Sequence, residues 1–360
     1  MKLLELVKLM TRAFELQVTD WFRRLADETG AFSIQKIGLA PVQRAQPGWT
    51  ADVVARIRPA GQRTSLILNV ETKSRITPAE ALATLDRMKA AKPEGTLVLC
   101  VPAISERVAE MCRQRGIGYL DEAGNCRISG PGLFLHIHGH RNARPDTRPT
   151  VDVFATKSSR IIRVLLTHPK RGWQVQALAA EAQVSLGLAS KTKRALVEQA
   201  FAEERDGLLY PRQPEQLLRE WSKRYSLSRG KRFELFTLDK LQDAEQRIAE
   251  WCRSKSIQCA LTQFSGAWRI APMVRYNRAA IYVESVPRQL SGELGLKPVS
   301  TGANLVVWTP FDPSVFYDQR EMNGVSVASP IQLYLDLIGE PGRGEEAAQE
   351  ILEKAIKPTW

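Results

Sequence analysis

Residues 51–73, ADVVARIRPAGQRTSLILNVETK, decide the fold of the first part of the chain. Two runs of alternating residues, 49–58 and 64–73, flank a short turn, and this pattern predicts a β-hairpin. Pairing Asp52 with Glu71 places the aliphatic residues of both strands on one face, because side chains alternate along a strand. A slip of one residue would expose them, so the apolar pattern also predicts the register. The predicted core face comprises Val53, Ala55, Ile57, Leu66, Leu68 and Val70.

The opposite face of this hairpin is expected to carry Asp52, Glu71 and Lys73, together with Asn69. Two adjacent carboxylates suit Mg²⁺ or Mn²⁺, hard cations that prefer oxygen ligands. A nearby lysine can orient a water molecule or neutralise charge that develops on a phosphate. Asp52 and Glu71 are therefore candidate metal ligands, and Asp52, Glu71 and Lys73 are candidate catalytic residues for phosphodiester hydrolysis. The alternative is an ordinary solvated sheet edge.

The hairpin lies within a longer alternation of helix and strand patterns over residues 1–145. Thr77, Pro78 and Glu80 form a capping box that predicts the start of a helix, and Ser105 is expected to cap another that ends before Gly116. An antiparallel start followed by β-α-β crossovers predicts a mixed sheet with helices against it. The predicted elements are a helix over 2–28, strands over 31–40, 96–102, 117–121 and 125–128, and a helix from Ser105 to Arg115.

Over residues 2–130, this arrangement resembles the PD-(D/E)xK restriction-endonuclease-like fold. The family pattern maps onto Asp52, Glu71 and Lys73, with Ala51 where the family often has proline. The resemblance implies a Mg²⁺-dependent DNA endonuclease, or a nuclease-like scaffold kept for DNA binding without cleavage.

Residues 157–212 show a second pattern, with three short helices followed by two short strands. Ser185 is expected to cap the third helix, and Arg205-Asp206-Gly207 forms the turn between the strands. The predicted helices are 158–167, 174–182 and 186–200, and the predicted strands are 201–203 and 208–211. The segment resembles a bacterial winged helix-turn-helix, whose third helix enters the major groove of DNA.

The polar residues of this segment are candidates for DNA contacts. Ser190, Lys191, Lys193 and Arg194 on the third helix would reach base edges. Arg205 in the hairpin would reach a phosphate or the minor groove. Lys170 and Arg171, between the first two helices, would contact backbone phosphates. The alternative is a winged helix used for protein–protein contact.

The net charge of the chain is concentrated in its first two regions. The formal net charge is +12, of which residues 1–150 carry +7, residues 151–212 carry +4 and residues 213–360 only +1. A localised positive excess favours a polyanionic partner such as double-stranded DNA. The alternatives are a generally basic surface and, more weakly, an anionic membrane.

Residues 213–360 alternate again between helix and strand patterns, which predicts a C-terminal α/β domain after the boundary at 213–214. The expected helices are 215–225, 239–255, 329–338 and 344–357, and the expected strands are 257–261, 268–271, 280–284 and 304–308. The stretches ALT (260–262), SGAW (265–268), SPIQLYLDL (329–337) and GRGEEAA (342–348) resemble the C-terminal region of AbiEi-type antitoxins.

Together with the winged helix, the resemblance to AbiEi-type antitoxins covers residues 157–357. Members of that family are transcriptional regulators of type IV toxin–antitoxin and phage-defence operons. The resemblance implies a winged helix that binds operator DNA and represses its own operon, and a C-terminal domain that acts against a nucleotidyltransferase-like toxin. The long nuclease-like N-terminal region distinguishes this chain from the shortest members.

Several other classes of protein are disfavoured by the sequence. No stretch is apolar enough to span a membrane, and the N-terminus is expected to form an amphipathic helix and not a signal peptide. Five scattered cysteines predict reduced thiols and a cytoplasmic protein. His136, His138 and His140 would share one face of a strand over 133–140 and could bind Zn²⁺ or Ni²⁺, although a solvated strand edge is the alternative.

These observations lead to two functional hypotheses. The first is a DNA-binding transcriptional regulator with three domains, 1–145, 157–212 and 213–360, which needs no cofactor and is expected to form a homodimer on a two-fold operator. The alternative is a Mg²⁺-dependent (or Mn²⁺-dependent) endonuclease that the winged helix targets to DNA.

Overall fold

The protein consists of two compact units. The computed structural model describes residues 2–40, 49–141, 151–272, 275–285 and 289–360. The first unit comprises Met1–Thr150 with Val197–Ala200, and the second comprises Val151–Leu196 with Phe201–Trp360. The regions predicted as the central and C-terminal domains thus fall almost entirely in one compact unit, and their division into two functional domains stays a prediction.

The first unit is built on a seven-stranded mixed sheet whose strand order follows the chain, β1-β2-β3-β4-β5-β6-β7. The first three strands pair antiparallel, β3-β4-β5 pair parallel, and the last three pair antiparallel. The strands are Phe32–Leu39, Val53–Pro59, Leu66–Thr72, Thr96–Val101, Gly118–Asp121, Cys126–Gly130 and Leu133–Ile137. The helices are α1 (Lys2–Thr29), α2 (Pro78–Ala91) and α3 (Glu106–Arg115). The predicted mixed sheet is confirmed.

Each face of this sheet has its own hydrophobic core. The C-terminal part of α1 packs Val18, Phe22 and Leu25 against the face that carries Val53 and Leu68. Helices α2 and α3 form a second core with the opposite face. The sheet is therefore the middle of three layers, which explains why the parallel strand β4 is apolar on both faces.

The hairpin that decides this fold has the predicted register. Val53 pairs with Val70, and the backbone N–H of Asp52 donates to the carbonyl of Val70 at 2.9 Å. Val53, Ile57 and Leu68 are completely buried. The capping box at Thr77 and Glu80 is also present, because each residue's side chain accepts from the other's backbone N–H.

The second unit begins with three helices and a hairpin, in the predicted order. The helices are α4 (Thr156–Thr167), α5 (Val175–Glu181) and α6 (Leu186–Glu198), and the hairpin strands are β8 (Ala202–Arg205) and β9 (Leu208–Pro211). Trp173, just before α5, bridges to Leu209 of β9 and ties the hairpin to the helices. We refer to residues 156–211 as the three-helix segment.

The rest of the second unit is a second seven-stranded mixed sheet whose strands do not follow chain order. The order is β13-β10-β14-β12-β11-β16-β15. The strands are β10 (Lys231–Phe236), β11 (Cys259–Leu261), β12 (Ala279–Val283), β13 (Lys297–Pro298), β14 (Leu305–Thr309), β15 (Arg320–Met322) and β16 (Val325–Val327). The helices are α7 (Pro214–Ser222), α8 (Leu241–Ser254), α9 (Gln263–Ile270), α10 (Gln289–Glu293), α11 (Pro330–Ile338) and α12 (Gly344–Ile351).

The structure corrects two of the predicted elements here. The strand predicted over 268–271 is wrong, because these residues end the helix α9 and its C-cap. That helix lies close to its neighbours because Gly266 lacks a side chain: an added Cβ would lie 2.6 Å from a methyl carbon of Leu333. The helix predicted over 344–357 is regular only as far as Ile351, after which the turns widen into a π-helix over Leu352–Ile356.

Among the described residues, none of the helices is long and apolar enough to cross a membrane.

Candidate functional site

The three residues singled out on the hairpin lie together at one end of strands β2 and β3. Lys73 Nζ lies 2.7 Å from Glu71 Oε1, and the indole N–H of Trp49 donates to Glu71 Oε2. The Glu71 side chain is 5% exposed, whereas that of Lys73 is 37% exposed. We call Trp49, Asp52, Glu71 and Lys73 the strand-end cluster. It presents a cation to solvent above a buried carboxylate.

Asp52 is held beside Glu71 by hydrogen bonds to the end of β3. Its Oδ2 accepts from the backbone N–H of Thr72 at 2.7 Å and from the Thr72 hydroxyl at 3.1 Å. Burial raises the pKa of Asp52 above its usual range, and the negative charge of Glu71 adds to this, whereas the hydrogen bonds from Thr72 oppose it. The two carboxyl groups therefore act on each other electrostatically, as two ligands of one cation would.

A third carboxylate near this cluster was missed in the sequence. Glu15 of α1 has a pKa above its usual range, through burial first and then through the charge of Asp52. The available signal was weak: Glu15 directly follows Phe14, which belongs to the apolar stripe of α1, so it borders the face that packs on the sheet. A charged residue at the edge of an apolar stripe is usually a solvated neighbour.

The donor set at the strand-end cluster fits a hard divalent cation. Asp52 and Glu71 supply carboxylate oxygens, which Mg²⁺ prefers. Both Glu71 oxygens already accept hydrogen bonds, from Trp49 and Lys73, so a bound cation would replace one of these donors. Within the described ranges, no group of three or more His, Cys, Asp or Glu side chains is placed to hold a metal ion. A cation here would therefore keep several waters.

The histidine site considered in the sequence does not form on one strand. Strand β7 ends at Ile137, so the prediction of a strand over 133–140 is wrong. His136 and His138 contact each other edge-to-face, with ring centroids 5.3 Å apart. His140 instead turns away and places its Nδ1 2.8 Å from the carbonyl of Ala123. Its backbone N–H and C=O both bond to one side chain, that of Asn125, which fixes the chain end in that direction.

The third helix of the three-helix segment presents polar residues on its exposed side. Ser190, Lys191 and Arg194 are exposed on α6. Lys193 is half-buried, and its Nζ lies 2.8 Å from Glu204 of the hairpin, so part of its charge is used within the protein. Helix α6 therefore exposes two cations, Lys191 and Arg194, one turn apart.

The hairpin and the loop before α5 add three further cations. Arg205 is exposed, pairs with Glu203 at 2.9 Å and lies over the ring of Tyr210 at 4.6 Å. Lys170 and Arg171 are exposed in the loop between α4 and α5, where the Arg171 guanidinium stacks on Trp173 at 3.9 Å. Stacking on an aromatic ring orients a guanidinium group while leaving its N–H groups free for a phosphate.

A second polar cluster, in the centre of the second unit, was not predicted. Asp336 of α11 is 3% exposed, and its carboxylate accepts from four side chains. Tyr225 and Tyr282 donate at 2.9 Å and Gln332 at 2.7 Å, and Thr262 also donates. Burial raises the pKa of Asp336, and these hydrogen bonds oppose the shift. We call these five residues the Asp336 cluster. The carboxylate of Asp336 is buried and saturated by these donors, whereas Gln332 Oε1 has no hydrogen-bond partner among the described residues.

One family model matches the chain, over residues 211–357, and its description is transcriptional regulator, AbiEi antitoxin, type IV TA system. The match covers the second unit from α7 to the C-terminal turns, so the resemblance is confirmed for that region. No curated protein and no solved structure matches the chain. The winged-helix and nuclease-like resemblances therefore stay predictions.

Proposed function

We propose that this protein is a DNA-binding transcriptional regulator of the AbiEi antitoxin type, and that the three-helix segment binds the DNA. The observation that carries the proposal is the combination of two features in one compact unit. The C-terminal part matches the AbiEi regulator family, and the three-helix segment beside it in sequence exposes Lys191, Arg194 and Arg205 on a third helix and a hairpin.

The charge of this segment supports the proposal. Residues 151–212 carry ten basic and six acidic side chains, whereas residues 213–360 are nearly balanced. Exposed lysine and arginine side chains bind phosphates by displacing condensed counterions, so the affinity falls steeply with salt. Sequence preference then comes from the side chains that reach base edges, for which Ser190, Lys191 and Arg194 are the candidates.

The same proposal extends to partners. Its finer parts are binding of an operator within its own operon, autorepression, and neutralisation of a nucleotidyltransferase-like toxin by the C-terminal domain. A homodimer on a two-fold operator and a cytoplasmic location complete it. The match to residues 211–357 supports the toxin–antitoxin context, because the family is described as a type IV system.

Fluorescence anisotropy with the intact protein tests the DNA-binding proposal. The DNA upstream of its own coding sequence is compared with a shuffled duplex of the same length and composition. We expect tighter binding to the upstream DNA and a linear fall of log affinity with log salt. Equal affinity for both duplexes at about 0.15 M salt would contradict a sequence-specific regulator.

A second candidate function rests on the strand-end cluster. Asp52, Glu71 and Lys73 lie at one end of two paired strands. The two carboxylates act on each other electrostatically, and the lysine is partly exposed. A bound Mg²⁺ would polarise a phosphate and lower the pKa of an attached water. The protein's own residues would hold that cation through Asp52 and Glu71, and Lys73 would offset the charge on the phosphate. The candidate activity is cleavage of DNA that the three-helix segment binds.

Cleavage assays separate this candidate from a regulator without nuclease activity. The intact protein is incubated with supercoiled plasmid and with single-stranded DNA in Mg²⁺ or Mn²⁺, beside Glu71→Ala. Glu122→Gln is the control, because Glu122 is an exposed carboxylate of the same unit. Cleavage that only Glu71→Ala abolishes supports a metal-dependent nuclease. If no protein cleaves but all three bind DNA, the first unit is a scaffold.

A further inference from the structure

A cavity in the second unit lies at one edge of its sheet, where four segments of the chain meet. Its volume is about 670 Å³. Two of its walls are the segments 275–278 and 302–304, which directly precede the parallel neighbours β12 and β14 and therefore lie at the same edge. The start of α9 and the segment between α11 and α12 complete the lining. This volume lies in the range of ligand pockets.

The walls of this cavity are held by hydrogen bonds within the protein. The side chain of Asn304 accepts from the backbone N–H of Thr237 at 3.0 Å and donates to the carbonyl of the same residue at 2.8 Å. The backbone N–H of Ala279 donates to the carbonyl of Asn304 at 2.9 Å, which joins the segments before β12 and β14. The Tyr276 hydroxyl donates to the buried Glu245 at 2.8 Å. The cavity is therefore formed before any ligand binds, which lowers the cost of binding.

The lining of the cavity carries more positive than negative charge. Within the described residues, it includes three arginines, Arg275, Arg278 and Arg343, and a single carboxylate, that of Glu340. Glu340 accepts from Nη2 of Arg278 at 2.8 Å and also from the side-chain amide of Gln263. The one negative charge of the lining is thus already paired with one of the three arginines.

Two of these arginines present N–H groups at the cavity. Arg275 is exposed, and its guanidinium group makes no ion pair or hydrogen bond among the residues that the structure describes. Arg278 donates to Glu340 through a single nitrogen, and its side chain is 40% exposed. Because both side chains line the cavity and are open to solvent, their remaining N–H groups can reach a ligand there. Arg343 is less available, since it pairs with Glu346.

The rest of the lining suits more than a bare anion. Phe264 and Tyr276 are half-buried in the wall, and aromatic side chains stack on planar rings. Asn277 is exposed, and its side-chain amide can both donate and accept hydrogen bonds. Inorganic phosphate would use only the arginines and would leave most of the cavity unfilled. The lining therefore fits an anion that also carries a planar group with hydrogen-bonding edges.

We propose that this cavity binds a nucleotide, with Arg275 and Arg278 as its phosphate-binding residues. Guanidinium groups suit phosphate because two parallel N–H groups match two of its oxygens. The base would lie against Phe264 and Tyr276, and Asn277 would bond to its edge. No bond forms or breaks, so the site is a binding site and not a catalytic one. Its described lining contains no residue of the three-helix segment, so the proposal goes beyond the proposed DNA binding.

Calorimetric titration of the intact protein tests this proposal. The probes are AMP, GMP, CMP and UMP, each compared with its nucleoside and with inorganic phosphate. We expect at least one nucleotide to bind at least about tenfold tighter than both comparison compounds, since only the nucleotide engages the arginines and the aromatic rings together. Failure of all four nucleotides to bind overturns the proposal, and so does equal binding of inorganic phosphate. The titration contains no DNA, so its failure and a failure of DNA binding are distinguishable.

Variants test the role of Arg275 directly. Arg275→Gln should weaken binding of that nucleotide by at least about tenfold, because a charge-assisted hydrogen bond is lost. Its ligand-free melting temperature should not change, since the side chain is exposed. Lys240→Gln is the matched control, because Lys240 is an exposed cation of the same unit that lies outside the cavity. A control variant that loses as much nucleotide affinity as Arg275→Gln contradicts a specific site.

A second variant tests the cavity without changing its charge. Asn277→Trp places a large side chain at an exposed position of the lining, so we expect it to fold and to block the cavity. Nucleotide affinity should fall by at least about tenfold, because the loss of ring stacking adds to the loss of the phosphate contacts. Unchanged affinity would show that the nucleotide binds elsewhere and would overturn the proposal.

Discussion

The two units differ in how their buried carboxylates are paired. In the first unit, the buried Glu71 pairs with Lys73, whose side chain is partly exposed to solvent. In the second unit, the carboxylate of Asp336 is sealed inside, and the cations Lys191 and Arg194 are exposed. The difference indicates which cluster can bind a partner. A carboxylate that is saturated by internal donors stabilises the fold, whereas a charged group that is partly exposed can still bind a partner.

The largest expected effect concerns the buried Asp336 cluster. Asp336→Ala leaves the donors of Tyr225, Tyr282 and Gln332 without their shared acceptor, and unsatisfied buried groups cost about 1–3 kcal/mol each. We expect the free energy of unfolding to fall by about 3 kcal/mol or more in urea denaturation followed by tryptophan fluorescence. The control Asp243→Ala, at an exposed position, should change it by about 0.5 kcal/mol or less. Equal effects would show that the Asp336 cluster is not a structural centre.

The exposed cations of the second unit should dominate DNA affinity. We expect Lys191→Ala with Arg194→Ala to weaken binding to the upstream DNA by about 2–6 kcal/mol, since each side chain contributes about 1–3 kcal/mol where it reads a base. The salt slope should fall by about 1 for each lost phosphate contact. Asp52→Ala should leave affinity intact or slightly increased, because it removes negative charge.

Anisotropy titrations at several salt concentrations make this measurement. Lys223→Ala serves as a control, because Lys223 is exposed on the same unit but outside the three-helix segment. A control that weakens binding as much as the double variant would place the DNA on another surface.

The ion pair between Arg160 and Asp312 should give a pH-dependent contribution to stability. Burial raises the pKa of Asp312, but hydrogen bonds from Arg160 and Ser314 outweigh it and hold this pKa below the ordinary aspartate value of 3.8. The stabilisation is thus present above that value and is lost as pH falls through the lower folded-state pKa. Asp312→Asn should cost about 2 kcal/mol at pH 7, and the difference from wild type should shrink in strong acid.

Urea denaturation of both proteins between neutral and strongly acidic pH checks this expectation. Asp239→Asn is the control, because Asp239 pairs with Arg247 on the surface, where ion pairs contribute little. A difference between wild type and Asp312→Asn that stays constant with pH would mean that ionisation of Asp312 plays no part.

The smallest expected effect concerns the strand-end cluster. Glu71→Gln keeps an acceptor for Trp49 but replaces the ion pair with Lys73, whose side chain is 37% exposed. Partial exposure weakens an ion pair, so we expect the unfolding free energy to fall by about 1 kcal/mol or less. A loss of unfolding free energy as large as that of Asp336→Ala would show that the strand-end cluster is a structural feature and not a binding site.

The sequence was most informative where neighbouring elements are also neighbours in space. The register of the first hairpin followed from alternation alone, since Val53 and Val70 must both face the core. The three helices and the hairpin of residues 156–211 were also predicted from the sequence, because caps and turns are local signals. The convergence of Asp52, Glu71 and Lys73 was predictable for the same reason.

Prediction was poorer in the second sheet, where strands adjacent in space are distant in the chain. Residues 268–271, at the end of helix α9, were predicted as a strand. The close packing of this helix depends on Gly266 lying against Leu333. The hairpin of β15 and β16 was missed although its turn, Asn323-Gly324, is a strong hairpin signal, because each strand is only three residues long. The Asp336 cluster joins residues from 225 to 336, and no spacing rule connects them.

The amino-acid sequence by itself determined the mixed α/β character, the mixed sheet of the first unit, the hairpin register and the positions of the candidate DNA-binding cations. These depend on alternation, capping and charge, which are properties of short segments. Only the tertiary structure decided that Arg160 pairs with Asp312, while Nε and Nη1 of Arg163 are buried without a hydrogen-bond partner among the described residues. That outcome depends on where segments about 150 residues apart meet, and burial has an energetic consequence only after they have met.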